Sequence, residues 1–263
     1  MGLMDGKKGI VFGVANERSY AWFIAKQLIA HGARCAFAHL PGDKMERRCR
    51  KAVEAIGVET PWLMPCDASK DEDLDTVFEK LGEDLGAIDF VVHSIAFADR
   101  RFLEIGNFHT TTREAWTQAL DISAYTLVAM ARRALPLMRN NDPAGGSIIS
   151  MSYFGGEKVI PGYNVMGIAK AALEHSTRYL AAELGEHNVR VNSISGGPLR
   201  TLAAMAVGGI DEMFEHQARK APLKRNIEGE EVGDTAVYLL SDLSTGVTGE
   251  TIHVDAGFSV VGL

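Results

Sequence analysis

Cysteine is scarce in this sequence: 263 residues hold three, Cys35, Cys49 and Cys66. The count is odd and no C-x-x-C brings two together. That argues against a disulfide framework and for the reduced thiols of a cytoplasmic protein. No run approaches eighteen uncharged apolar residues, so no membrane span is expected. The stretch from Met1 to Lys8 lacks the apolar core of a secretory signal. A basic excess is also missing: 27 Lys and Arg stand against 34 Asp and Glu, a net charge of −7. A nucleic-acid binder would show a basic face, so no nucleic-acid partner is expected. H-E-x-x-H, G-x-S-x-G and a Walker loop are absent, as are repeats and low-complexity stretches. No metal site is expected; the eight histidines are scattered, and His93 reads as a structural histidine behind a strand.

What is present is enough apolar residue, 46%, for one large domain with its own core over residues 1–263. Strand and helix patterns alternate along the chain. Strands are predicted at 8–12, 34–39, 60–65, 88–93, 146–152, 189–195 and 250–255. Helices are predicted at 19–30, 43–56, 71–81, 112–139, 163–185 and 230–241. Such alternation implies an α/β fold: a single-domain, Rossmann-like doubly wound parallel sheet of about seven strands flanked by helices. Ligands of such sheets bind beyond the carboxyl ends of the strands. Gly13, Asp67, Ser94 to Ala98, Tyr153 and Gly196-Gly197-Pro198 all follow strands, so they converge on one rim. The first turn lacks the full G-x-G-x-x-G; only Gly13 is in place, with Ser19 and Ala21 as small residues behind it. Residues 199–220 break the alternation. With Gly208-Gly209 they suit a lid over the rim, or equally an ordinary surface helix.

The stretch from Ser150 to Lys170 carries the chemistry. Tyr163 and Lys170 are seven residues apart, close to two helical turns, so on one helix they would share a face. A lysine beside a phenol would lower the tyrosine pKa and help it serve a developing oxyanion.

Several motifs together make the chain similar to a known family. They are Gly13-Val-Ala, His93-Ser-Ile-Ala-Phe-Ala98, Asp121-Ile-Ser123, Tyr163-Asn-Val-Met-Gly-Ile-Ala-Lys170, Arg190-Val-Asn-Ser-Ile-Ser195, Gly197-Pro-Leu-Arg-Thr-Leu202 and Gly249-Glu-Thr-Ile-His-Val-Asp255. The chain resembles, end to end, the short-chain dehydrogenase/reductase superfamily and, within it, the bacterial NADH-type enoyl-acyl-carrier-protein reductases. Ordinary members of the superfamily carry Tyr-x3-Lys and a serine thirteen residues before that tyrosine. Here those positions are Met166 and Tyr153. The phenol is displaced one turn, about 5 Å, toward the N-terminus. Hydride enters an enoyl thioester two carbons from the carbonyl carbon, so a group serving the enolate oxygen must stand further from the nicotinamide.

The resemblance implies the remaining roles. Tyr153, Tyr163 and Lys170 are the expected catalytic residues, with Ala98, Tyr153 and Tyr163 facing substrate. NADH, rather than NADPH, would lie across the rim. Gly13, Ser19 and Tyr20 would meet its pyrophosphate. Leu40 would stand where a glutamine or basic residues tune cofactor choice, Asp67 and Ala68 at the adenine, and Ile95 at the ribose. Lys170 would hold the nicotinamide ribose, and Leu199, Arg200, Thr201, Leu202 and Ala203 would line the nicotinamide and pyrophosphate. The implied partner is enoyl-acyl-carrier-protein. Because Met205, Asp211 and Glu212 make the lid acidic, docking is expected to use Arg200, Arg219, Lys220, Lys224 or Arg225. A homotetramer is the family's assembly. A carbonyl reductase of the same superfamily and a catalytically silent NAD-binding paralogue stay open as alternatives.

Overall fold

The computed structural model describes residues 2–201 and 210–262. Its strands are β1 (Lys8–Phe12), β2 (Arg34–His39), β3 (Trp62–Pro65), β4 (Phe90–His93), β5 (Gly146–Ser152), β6 (Val189–Gly196) and β7 (Thr251–Val254). Its helices are α1 (Tyr20–Ala30), α2 (Asp43–Glu54), α3 (Asp71–Leu85), α4 (Arg113–Leu120), α5 (Thr126–Arg139), α6 (Val165–Leu184), α7 (Ile210–Lys220) and α8 (Gly229–Leu240). The strands form one seven-stranded sheet in the order β3-β2-β1-β4-β5-β6-β7. Every pairing is parallel.

The inner strands are apolar on both faces because helices cover both. Val11, Cys35 and Phe37 face α1, α2 and α8, and pack on Ile24, Leu28, Val53 and Val237. Ile10, Phe12, Ala36 and Ala38 face the other way, onto α3, α5 and α6, with Phe78, Leu81, Leu127 and Leu173. All three cysteines lie buried in these layers. Burial lifts the Cys35 and Cys66 thiols to about 12 and Cys49 to about 11, so none is poised as a thiolate.

Strand order reverses between β1 and β4, which opens a crevice at their carboxyl ends. Gly13 sits there with φ of 103°, and a Cβ on it would overlap the Ser94 carbonyl oxygen. Only glycine lets the two rims approach so closely.

Most predicted elements stand within a few residues of their expected bounds. The continuous helix predicted over 112–139 does not: the chain widens into a π turn at Asp121–Tyr125 between α4 and α5. There Thr126 donates its hydroxyl proton to the Ile122 carbonyl, 2.7 Å away, and accepts from His93 Nε2 at 2.8 Å. Side-chain bonds to β4, which periodicity does not encode, favour the wider turn. Of the expected lid, residues 210–220 form α7. Leu202, Ala203, Met205 and Gly208-Gly209 lie outside the described residues.

Helices α1 and α8 cross at two glycines, Gly229 against the Phe23 ring and Gly233 against the Phe23 backbone. A Cβ on Gly233 would stand 2.7 Å from the Phe23 carbonyl oxygen and 2.6 Å from Gln27 Cγ. Alanine would gain about 1 kcal/mol of helix propensity, against about 1–3 kcal/mol for overpacking. Gly233→Ala is therefore expected to lower the urea midpoint; a midpoint at or above the parent's would contradict the close crossing.

Candidate active site

Three aromatic hydroxyls and one ammonium gather where β5 and β6 end. Tyr153 follows β5, and its ring meets that of Tyr163 edge to face, centroids 4.9 Å apart. The Tyr20 hydroxyl, from the first turn of α1, donates to the Gly197 carbonyl beyond β6. Lys170, on α6, is buried and donates from Nζ to the Met151 carbonyl of β5 at 2.6 Å. Tyr20, Tyr153, Tyr163 and Lys170, four of the expected site residues, thus lie at one end of the sheet.

Their protonation differs from the expectation. Burial raises the Tyr163 phenol far above its ordinary range, and the neighbouring Tyr153, Tyr20 and Glu174 raise it further. Tyr153 is pushed up to about 12, also by burial. Lys170 does not offset this, because its ammonium is turned to the β5 backbone and burial lowers it to about 8. Tyr163 is therefore a neutral donor, not an incipient phenolate.

Tyr163 stands just before α6 rather than inside its first turn. The break comes at Asn164, with φ of 44° and ψ of −119°. Its side-chain amide donates to the carbonyls of Phe102 and Glu104, each at 2.8 Å. Tyr163 and Ala98 pack against a small cluster of Leu103, Ala119, Val165 and Met166. Met166 is only 6% exposed, and its sulfur lies 3.9 Å from the Ser123 hydroxyl.

The predicted cofactor residues occupy the rim around Gly13. Ser19 caps α1, accepting from Trp22 N at 3.3 Å, and the first turn of that helix holds no acid. Ala68 and Ile95 are half-buried against the second core layer. Leu40 is exposed at the end of β2. Asp67 is turned toward Ser69, whose hydroxyl donates to it at 2.7 Å and holds its carboxyl below the usual range. Leu199 packs partly on the first core layer and Thr201 is buried. Arg200 pairs with Asp211 of α7 at 2.8 Å and lies over the Phe214 ring.

A cavity of about 760 Å³ opens beside Tyr153, between the segment after β5 and α7. Phe154, Ile160, Pro161, Met213 and Phe258 supply apolar walls, and Lys158 and Arg219 polar ones. The Tyr153 hydroxyl donates to Met213 Sδ at 3.1 Å.

Several participants escaped the sequence reading. Glu174 is buried, accepts from the Ser152 hydroxyl, and follows Lys170 by one helical turn. That spacing was its available signal. The bonds of Asn164 to Phe102 and Glu104, of Ser123 to Phe97 and of Thr126 to His93 gave none, since these partners lie far away in sequence.

The fold defines the class: a doubly wound, Rossmann-like α/β protein of the short-chain dehydrogenase/reductase type. The family model described as enoyl-(acyl carrier protein) reductase matches residues 13–259. An NADH-dependent enoyl-[acyl-carrier-protein] reductase of Synechocystis sp. is 48% identical over 262 residues, covering 99% of each chain. The Bacillus cereus enoyl-acyl carrier protein reductase, solved with NADP+ and an indole naphthyridinone, superposes with a TM-score of 0.95 at 46% identity, covering 100% of both chains. The Anaplasma phagocytophilum reductase, solved with NAD, gives 0.93 at 45% identity, covering 100% of this chain and 97% of that one. This chain belongs to the enoyl-(acyl carrier protein) reductase family.

The Asn164 break tests how Tyr163 is held. Asn164→Gly loses both amide bonds but relaxes the backbone, whereas Asn164→Ala loses the bonds and keeps the strain, which costs about 1–3 kcal/mol. Thermal melts are expected to rank parent above Gly above Ala; Ala above Gly would remove the strain from the account.

Proposed function

We propose that this chain reduces the C2–C3 double bond of a trans-2-enoyl thioester carried on acyl carrier protein, with NADH, as the last reductive step of type II fatty acid elongation. The observation that carries the reading is Met166. A buried thioether fills the position of the ordinary superfamily tyrosine, while the phenol stands one turn earlier, edge to face with Tyr153. A carbonyl reductase would have no acid where it needs one.

The rim suits a dinucleotide. Gly13 leaves no Cβ in the crevice, and the acid-free first turn of α1 presents its amides to a pyrophosphate. Tyr20 and Ser19 flank that turn, Asp67 and Ala68 the adenine side, Leu40 the end of β2, and Ile95, Leu199, Arg200 and Thr201 the nicotinamide side. Lys170 spends one N–H on Met151, and an ammonium has three, so two serve the ribose hydroxyls. NADH supplies the hydride that reaches C3.

Charge then develops on the thioester oxygen. Tyr163, kept neutral by burial, donates a hydrogen bond to that oxygen and assists the protonation that completes reduction. Tyr153 acts as wall and second donor, with Ala98 near the thioester. The acyl chain fits the cavity beside Tyr153, under α7, the described part of the expected lid.

Among the bases expected to receive the carrier, Arg225 is tied to Glu231 by bonds of 2.8 and 2.7 Å, and Arg200 to Asp211. Lys224 donates to the Arg219 carbonyl at 3.1 Å. Arg219 and Lys220 at the end of α7 then become the leading docking bases. Among the described residues no helix is long and apolar enough to cross a membrane; we place the enzyme in the cytoplasm. Exposed Trp116, Tyr125, Ile168 and Tyr179, on α4, the π turn and α6, support a homotetramer built on these helices.

NADH absorbance is expected to fall with a trans-2-enoyl thioester and not with an acetoacetyl thioester; the reverse would favour a carbonyl reductase. Tyr163→Phe should lower turnover by roughly 10²-fold or more, and unchanged turnover would remove Tyr163 from the chemistry. Charge reversal at Arg219 and Lys220 should raise KM for carrier-bound substrate alone; an unmoved KM would clear the end of α7 of docking.

A further inference from the structure

Glu174 has no part in the reaction as derived, yet it is a buried carboxyl, 4% exposed, beside the most important cation. It follows Lys170 on α6 by four residues, so both side chains leave the same face. Adjacent residues of β5 receive them. The Met151 carbonyl accepts from Lys170, and the Ser152 hydroxyl donates to Glu174 Oε1. Gly156 closes the space above: a Cβ on it would lie 2.9 Å from that same carboxyl oxygen. The segment after β5 therefore seals Glu174 from solvent, an arrangement that a helix-surface ion pair would not need.

We infer that Glu174 is a positioning residue that keeps the buried Lys170 protonated, and so competent to hold the cofactor ribose, at neutral and mildly alkaline pH. Burial pushes the Lys170 ammonium down and Glu174 pushes it part of the way back, leaving it at about 8; the bond to the Met151 carbonyl also favours the charged form. His93 of β4, also buried, feels the ammonium and stays neutral, lowered to about 3, so it adds no competing charge. Without Glu174, only the Met151 carbonyl would oppose the effect of burial on the ammonium.

The groups facing Glu174 complete the balance. Arg178, one turn further along α6, and His253 of β7 favour its ionised form, while Glu157 opposes it. His253 Nε2 and Glu157 Oε1 lie 2.6 Å apart, so these two groups bond to each other. Burial raises the Glu174 carboxyl, against the Ser152 bond that lowers it. Tyr163 also feels the carboxylate, which reinforces its neutral form. Glu174 thus pushes both catalytic side chains toward the protonated state.

The inference rests on the reading that Lys170 holds the cofactor, and two measurements separate them. The titration of Lys170 in the full-length protein without cofactor is read from its 13Cε resonance, assigned with Lys170→Arg. NADH dissociation constants are read by fluorescence across the same pH range. In the parent, affinity should hold below the Lys170 midpoint and fall as pH rises through it. In Glu174→Gln the midpoint should move down by about 1 unit or more, the usual effect of losing an opposite charge nearby. At the parent's midpoint NADH should then bind several-fold more weakly, while at acid pH, where Glu174 itself is neutral, the two proteins should agree. Glu174→Asp, which keeps the charge, should restore most of the shift and controls for a folding defect.

An unmoved Lys170 midpoint in folded Glu174→Gln would overturn the inference. So would a Glu174→Asp variant that titrates like Glu174→Gln. A moved midpoint with NADH affinity independent of pH in both proteins would instead leave the pairing standing and overturn the ribose role of Lys170.

Discussion

A buried ammonium is the constraint on which the site depends. Removing Lys170 from water is expensive unless its charge is answered at once. The answer comes from two consecutive residues of β5, the Met151 carbonyl directly and the Ser152 hydroxyl through Glu174. These bonds fix the height and rotation of α6 against the sheet. The helix start, and with it Tyr163, is then located relative to the β1/β4 crevice. Anchoring at β5 is also why the lysine does not reach the phenol, and why Tyr163 works as a neutral donor.

Neutral phenols suit the chemistry proposed. An enolate oxygen gains from a donor that keeps its proton until charge has developed, and a low-dielectric pocket strengthens that bond. The aromatic edge-to-face pair fixes the two phenols without charge, and the thioether of Met166 fills the vacated turn with apolar volume. Rigidity at the base of the site comes from long-range polar contacts. The π turn directs Thr126 to His93 and Ser123 to the Phe97 backbone, and Asn164 ties the start of α6 to the loop around residue 103. Opposite this base, the Tyr153 hydroxyl meets Met213 Sδ of α7.

Much of the fold was legible in the chain, for reasons of period. Alternating apolar runs and amphipathic helices report which faces are buried, and parallel connections admit few topologies. The rim residues Gly13, Ile95 and Tyr153 could be gathered because each follows a strand, Ser19 because it opens a helix, and Lys170 by its spacing from Tyr163. What depended on partners distant in sequence was not legible. The helix over 112–139 carries no local mark of its π turn, and Asn164 none of its bonds to Phe102 and Glu104. The pairing of Arg200 with Asp211 of α7 had no local mark either.

By itself the sequence determined the doubly wound architecture and the cluster of phenols and lysine at one rim, because these follow from periodicity and spacing; the displacement of the tyrosine was legible through the family resemblance. The tertiary structure alone decided the protonation of that cluster. Spacing placed Lys170 beside Tyr163 and suggested an activated phenolate, but a pKa is set by burial and by what each polar atom touches. Those are properties of the packed chain: a β5 carbonyl for the ammonium, an apolar pocket for the phenol, and a sealed carboxylate one turn behind.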